Sequence, residues 1–219
     1  MRDQAKPLRT MLYVPANKED WIRKAPKYGA DALILDLEDS VPEPEKITAR
    51  GIVSRLVPEL YGNGVTVFVR VNSVETGLTR DDISSVVQKG LYAITLPMVR
   101  GPHDVIEVDR MLTEEESMKG IPEGSVLIDP GLETATGLRE AYEIGACSER
   151  VAHMGAGGGR GGDIARAVGY RWTPEMAETL FLRSKVLLDA RASGSPYPVT
   201  GLWQDIHDHE GLKNFAFNS

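Results

Sequence analysis

One cysteine, Cys147, stands among 219 residues, so no disulfide forms within the chain. That scarcity points to a reducing compartment, and Cys147 reads as a small buried hydrophobe rather than a nucleophile. No apolar run approaches the length of a membrane span. The opening Met1-Arg-Asp-Gln-Ala-Lys-Pro7 lacks the apolar core of a secretory signal, so the cytoplasm is the expected location. Basic residues are the minority charge: 25 Lys and Arg against 32 Asp and Glu leave −7. This argues against general binding to nucleic acid or anionic membranes. It leaves anionic small molecules open, because a local arginine or metal overrides net charge. Several chemistries lack their signatures. There is no G-x-S-x-G nucleophile elbow. His153, His207 and His209 are not spaced with Cys or Glu as zinc ligands.

What is present is an ordinary globular composition, 42% hydrophobic and 26% charged, with length enough for one domain over residues 1–219. Short apolar runs alternate with helical patterns. Strands are expected at Met11 to Val14, Ala32 to Leu35, Val65 to Val71, Ala93 to Pro97, Ser125 to Ile128, Val151 to Met154 and Val199 to Ile206. Helices are expected near Lys18 to Tyr28 (capped by Asn17), Glu45 to Leu56, Thr79 to Val87, Val105 to Leu112, Thr134 to Ile144 and Pro174 to Ala192. Strands separated by helices are parallel. Six or seven such units fit a TIM-type (β/α)8 barrel better than a doubly wound sheet. The eleven residues after Asp208 look helical, so an eighth, C-terminal strand is missing from the count.

The chain is organised around Ala32-Leu-Ile-Leu-Asp-Leu-Glu-Asp39, an apolar strand breaking into Asp36, Glu38 and Asp39. Carboxylates at the end of a buried strand are costly unless paired, hydrogen-bonded or bound to a cation. The plainer reading is strand-end solvation with helix capping. Laying the strand ends side by side adds Arg70 and Asn72 after strand three, Glu133 after strand five and Asp163 after strand six. Such carboxylates suit Mg²⁺, which takes oxygen ligands. Arg70 suits a two-point grip on a substrate carboxylate, its alternative being a structural ion pair with Glu38 or Asp39. The glycine-rich loop Gly155–Asp163 lacks the Gly-Lys-Ser/Thr ending of a P-loop. A G-x-G-x-x-G reading on Gly157, Gly159 and Gly162 comes too late in the chain for a dinucleotide fold. The favoured reading is a close-approach loop bringing Asp163 to a ligand.

Taken together, Leu12-Tyr-Val-Pro-Ala-Asn17, Gly29 to Val41, Lys46 with Arg50, Val69-Arg-Val-Asn72, Leu132-Glu-Thr-Ala-Thr-Gly137 and Asp163 with Gly169 resemble the HpcH/HpaI aldolase and citrate lyase β-subunit (CitE-like) family, from about residue 8 to 212. The resemblance implies a TIM-type barrel that binds Mg²⁺ and makes or breaks a carbon–carbon bond in a hydroxyacyl-CoA thioester such as citryl-, malyl- or citramalyl-CoA. It makes Glu133 and Asp163 the metal ligands. Arg70 becomes the substrate and oxyanion partner, with Glu133 and Asn72 beside the substrate. Glu38 and Asp39 become the acidic pair that orders metal waters or moves protons. Pro15, Asn17 and Lys46 fall where the family meets the cofactor tail or shapes the mouth. It also implies a homo-oligomer, a trimer or a multiple of it. Three departures stand out: the glycine loop before Asp163 is stretched, Met98 replaces a common Lys, and the family's last strand with its Ile-His-Pro segment is absent. The reaction alternatives are an acyl-CoA thioesterase, a free 2-keto-acid aldolase, or a non-catalytic ligand-binding paralogue. The seam left by a missing strand is expected to be covered by oligomerisation or by Leu212, Phe215 and Phe217 acting as a plug.

Overall fold

The computed structural model describes residues 1–156 and 158–218. Gly157 of the G-x-G-x-x-G reading lies outside them. Among the described residues seven strands are present: β1 (Met11–Pro15), β2 (Ala32–Asp36), β3 (Thr66–Arg70), β4 (Leu91–Leu96), β5 (Leu127–Pro130), β6 (His153–Gly155) and β7 (Tyr197–Val199). All pairings are parallel and follow chain order, β1 to β5 in one sheet and β6 with β7 in another. Single bridges, Ile128 to Val151 and Gly131 to Gly155, link the two sheets. Among the described residues β7 does not pair with β1, so the sheet is parallel α/β without a closed ring.

Helices α1 (Glu19–Lys24), α2 (Lys46–Gly62), α3 (Thr79–Val86), α4 (Pro102–Met118), α5 (Ala135–Arg139), α6 (Ala141–Ala146), α7 (Asp163–Val168), α8 (Leu180–Ala192) and α9 (His209–Asn218) occupy the connections and the end of the chain. Alternation along the strands sorts the side chains onto two faces. Leu33, Leu35, Val67, Val69, Ile94 and Ile128 form one core with Val53 and Leu56 of α2, Ile83 of α3 and Leu112 of α4. Ala32, Ile34, Phe68, Ala93 and Leu127 form a second, smaller cluster on the other face, joined by Ala5 and Leu8. The N-terminal segment is tied beneath this face by Arg2, whose guanidinium donates to the carbonyls of Val151, Ser193, Gly145 and Ser148.

Several boundaries differ from the sequence expectation, each for a local reason. The expected 134–144 helix is two short helices meeting at Glu140, opened by the Thr134 hydroxyl accepting from Gly137 N. The long C-terminal helix starts only at Leu180, because Met176 takes a left-handed conformation (φ +54). The seventh strand sits earlier, at Tyr197–Val199. Beyond it, Trp203 Nε1 donates to Asp205 O and the Asp205 carboxylate accepts from His207 N, which builds a turn instead. Asn17 does not cap α1; its amide donates to Glu45 Oε2. The second helix runs past Leu56 to Gly62 despite Pro58. Proline leaves the carbonyl four residues back without its helical donor, and here Gln88 Nε2 donates to Ser54 O at 2.8 Å. The expected C-terminal plug is reduced to Phe215, packed on Trp203, since Leu212 and Phe217 are exposed.

Candidate functional site

Register across four strands gathers the polar residues at their carboxyl ends. Asp36 pairs with Arg70, Arg70 with Thr95, and Thr95 with Asp129. Paired residues of a parallel sheet point to the same face. The result is one polar rung above the apolar cluster of Ile34, Phe68, Ala93 and Leu127.

Arg70 is the centre of the rung. Its Nε and Nη2 donate to the two Asp36 carboxylate oxygens at 2.7 and 2.8 Å, its Nη1 lies 3.2 Å from Glu38 Oε2, and its guanidinium lies over the Tyr13 ring at 5.1 Å. This corrects the expectation that the fork grips a substrate carboxylate: the two-point face is occupied by Asp36, and a substrate shares the Nη1 edge with Glu38. Burial raises the Asp36 carboxyl, but the Arg70 fork, the Ser40 hydroxyl and the Glu38 N–H outweigh it, so it sits below the ordinary range. Glu38 goes the other way. Burial, against the pull of Arg70 and with the push of Asp39, takes it up to about 7. Asp39 is exposed and its N–H donates to Glu38 Oε2.

Asn72 does not line this site. It is 2% exposed, its amide donates to Leu37 O and Asp82 Oδ2, and its oxygen accepts from Lys46 Nζ. Lys46 also donates to Leu37 O and Glu38 O. Both residues brace the turn after β2 from behind, which corrects the substrate-contact expectation for Asn72.

Glu133 follows β5, and its Oε2 accepts from the N–H of Met98 at 3.0 Å. Met98 is left-handed (φ +56), a conformation costly for a side chain, which turns its N–H toward that carboxylate. Burial raises the Glu133 carboxyl, helped by the charges of Asp163 and Asp39 and opposed by Arg70. Glu133 therefore lies within electrostatic reach of Arg70, Asp163 and Asp39. Asp163 opens α7 and pairs through Oδ1 with Arg166. The preceding loop is held close: Gly162 N donates to Gly159 O, and a side chain at Gly158 would meet Thr179 and Tyr170 at 3.2 Å.

Three members of the site are new relative to the sequence reading: Tyr13, Thr95 and Asp129. Asp129 is 6% exposed, accepts from Thr95 Oγ1 at 3.2 Å, and is pushed by burial and by the Glu133 charge up to about 7. Ending strand five at Ile128 hid it, although continued alternation from Leu127 places residue 129 on the same face. A separate groove of about 780 Å³ between α2, α3 and the end of α4, lined by Arg50, Asp81 and Lys119 among others, holds none of these residues.

Comparison with known proteins supplies a family. The model described as HpcH/HpaI aldolase/citrate lyase matches residues 9–218. Citrate lyase subunit beta of Leuconostoc mesenteroides subsp. cremoris is 31% identical over 205 residues, 93% of this chain and 66% of that protein. A (3S)-malyl-CoA thioesterase of Cereibacter sphaeroides is 33% identical over 214 residues, 97% of this chain and 69% of that protein. Among solved structures, Mycobacterium tuberculosis protein CitE in complex with magnesium, acetoacetate and coenzyme A superposes with a TM-score of 0.68 at 27% identity, over 98% of this chain and 72% of that one. The chain spans 61–66% of the length of the citrate lyase relatives it matches. Among the described residues no helix is long and apolar enough to cross a membrane.

Proposed function

The chain belongs to the HpcH/HpaI aldolase/citrate lyase family, and from that membership we propose that it is a Mg²⁺-dependent carbon–carbon lyase. It acts on a hydroxyacyl-CoA thioester of the citryl-, malyl- or citramalyl-CoA kind, in a single TIM-type barrel domain. The observation that carries this reading is Arg70, fixed by Asp36 on the polar rung beside Glu38, with its charge and that of Asp163 both reaching Glu133.

The donor set fits Mg²⁺. Glu133 spends Oε2 on Met98 N and Asp163 spends Oδ1 on Arg166, which leaves one carboxylate oxygen on each. Glu133 and Asp163 would hold the ion together with waters, since among the described residues no group of three or more His, Cys, Asp or Glu side chains is arranged to hold a metal ion. Mg²⁺ held there supplies Lewis acidity to a hydroxy or oxo acid. Glu38, near neutrality, accepts the substrate hydroxyl proton as the carbon–carbon bond breaks. The bond's electron pair passes to the thioester fragment as an enolate, whose negative charge faces the Nη1 edge of Arg70. Return of a proton to that carbon gives the acyl-CoA, and the other fragment leaves as the oxo acid. Asp39, exposed beside Glu38, orders water at the entrance. A homo-oligomer, a trimer or a multiple of it, belongs to the same reading. The exposed Leu180, Phe181, Leu187 and Leu188 of α8 support it, since apolar surface of that extent marks contact faces.

A second reading, hydrolysis of the thioester, is favoured by the malyl-CoA thioesterase relatives. A panel of hydroxyacyl-CoA thioesters separates the two. Release of an oxo acid without free thiol marks a lyase, and free thiol with an intact hydroxy acid marks a thioesterase. Neither product, with no Mg²⁺ binding in calorimetry, overturns both.

A further inference from the structure

The polar rung holds two buried aspartates in unlike surroundings. Asp36 is met by the Arg70 fork, the Ser40 hydroxyl and two backbone N–H groups. Asp129, three strands along, is 6% exposed, and among the described residues only the Thr95 hydroxyl donates to it, at 3.2 Å. No ion pair joins it to a cationic side chain among the described residues; the rung's arginine is engaged by Asp36 and Glu38. A carboxyl so placed is costly. An apolar residue, like Leu127 below it on the same face, would serve the scaffold better. Among the described residues, Thr95 of β4 bonds Asp129, and Tyr13 of β1, Tyr92 of β4 and Glu133 after β5 lie within electrostatic reach of it. None of them supplies a positive charge. A substrate carboxylate pushed against this corner meets Glu133 and Asp129 together. A hydroxyl suits it in either protonation state, donating to the carboxylate or accepting from the acid.

We propose that Asp129 is a specificity-determining residue of this site, hydrogen-bonding a hydroxyl on the acid portion of the substrate and selecting hydroxylated acids over alkyl-terminated ones. The inference rests on the site reading given above and extends its substrate class to acids that carry a hydroxyl besides the reacting one.

Hydroxypyruvate and 2-oxobutanoate test this directly, because they differ by a hydroxyl in place of a methyl. Their binding is measured by calorimetry with Mg²⁺ present, without any turnover. The wild-type protein is expected to prefer hydroxypyruvate by about tenfold or more, since a site built to bond a hydroxyl rejects the analogue that lacks one. Asp129→Asn keeps a donor and an acceptor and should retain the preference. Asp129→Leu should lose or reverse it, while melting no lower than wild type. If the leucine variant fails to fold, Asp129→Ser, too short to span the same gap, takes its place in the same comparison. Equal binding of the two acids by wild type, or an unchanged preference in the apolar or shortened variant, overturns the proposal. Binding of neither acid overturns it as well. A separate Mg²⁺ titration tells the two failures apart: the site reading fails when wild type binds no Mg²⁺, whereas the Asp129 assignment fails with Mg²⁺ binding intact.

Discussion

Replacing Arg70 by methionine would leave the Asp36 carboxylate, 3% exposed at its side chain, with only the Ser40 hydroxyl and the N–H groups of Glu38 and Ser40. Removing one partner of a buried ion pair costs about 3–5 kcal/mol. Protonation sets a ceiling on that loss: neutralising a carboxyl of ordinary pKa at pH 7 costs about 4 kcal/mol. The three retained donors reduce it, so the expected destabilisation is about 3 kcal/mol at pH 7. The sign with pH follows from the direction of the shift. In wild type the depressed Asp36 carboxyl contributes stability that is present above its unfolded value, about 3.9, and lost as the pH falls through the lower folded value. In Arg70→Met burial dominates, so the deficit relative to wild type shrinks as the pH drops from 7 toward 5. Urea unfolding at both pH values, on wild type, Arg70→Met, Asp36→Asn and the double variant, measures this. The double variant should recover most of the loss. A deficit under about 1 kcal/mol at pH 7, or strict additivity in the cycle, would refute the buried-pair reasoning. Arg70→Lys should also lose most activity, because an ammonium cannot take both Asp36 oxygens and still present an edge to substrate.

Alanine at Glu133 or Asp163 should abolish the Mg²⁺ binding heat while leaving the circular dichroism spectrum intact; unchanged affinity in both variants would remove them as ligands. The rate of cleavage should rise as the pH passes about 7, where Glu38 loses its proton, and Glu38→Gln should flatten that profile as well as lower it. Because the folded Glu38 value lies above its unfolded one, about 4.3, ionisation takes away stability as the pH climbs between the two, and Glu38→Gln should remove that decline from melting curves. Gly137→Ala would drive a methyl into Val99 O, beside the Thr134 bonds that hold the loop after β5. It should cost more than about 2 kcal/mol in urea unfolding.

The parts of the site that were legible in the sequence are those carried by single elements. Asp36 and Glu38 follow an apolar run, Arg70 and Glu133 follow others, and alternating strands and helices announce a parallel sheet. What one sequence cannot display is register. The alternative to a substrate grip for Arg70 was an ion pair with Glu38 or Asp39, and its Nη1 does approach Glu38, but the two-point bond goes to Asp36 because the two residues sit opposite each other on β2 and β3. The same alignment carries Thr95 and Asp129 into the row, and neither stands in a motif that flags it. Asn72 shows the converse. It lies two residues beyond Arg70, where alternation predicts the same face, yet the chain leaves the strand at Arg70 and the Asn72 amide turns to Asp82 and Lys46. Alternation is a rule of strands and lapses where pairing stops. A polar residue inside the last paired position is therefore committed to the rung, and one beyond it is free to brace the turn. That distinction separates Asp129, still within β5, from Asn72, already outside β3.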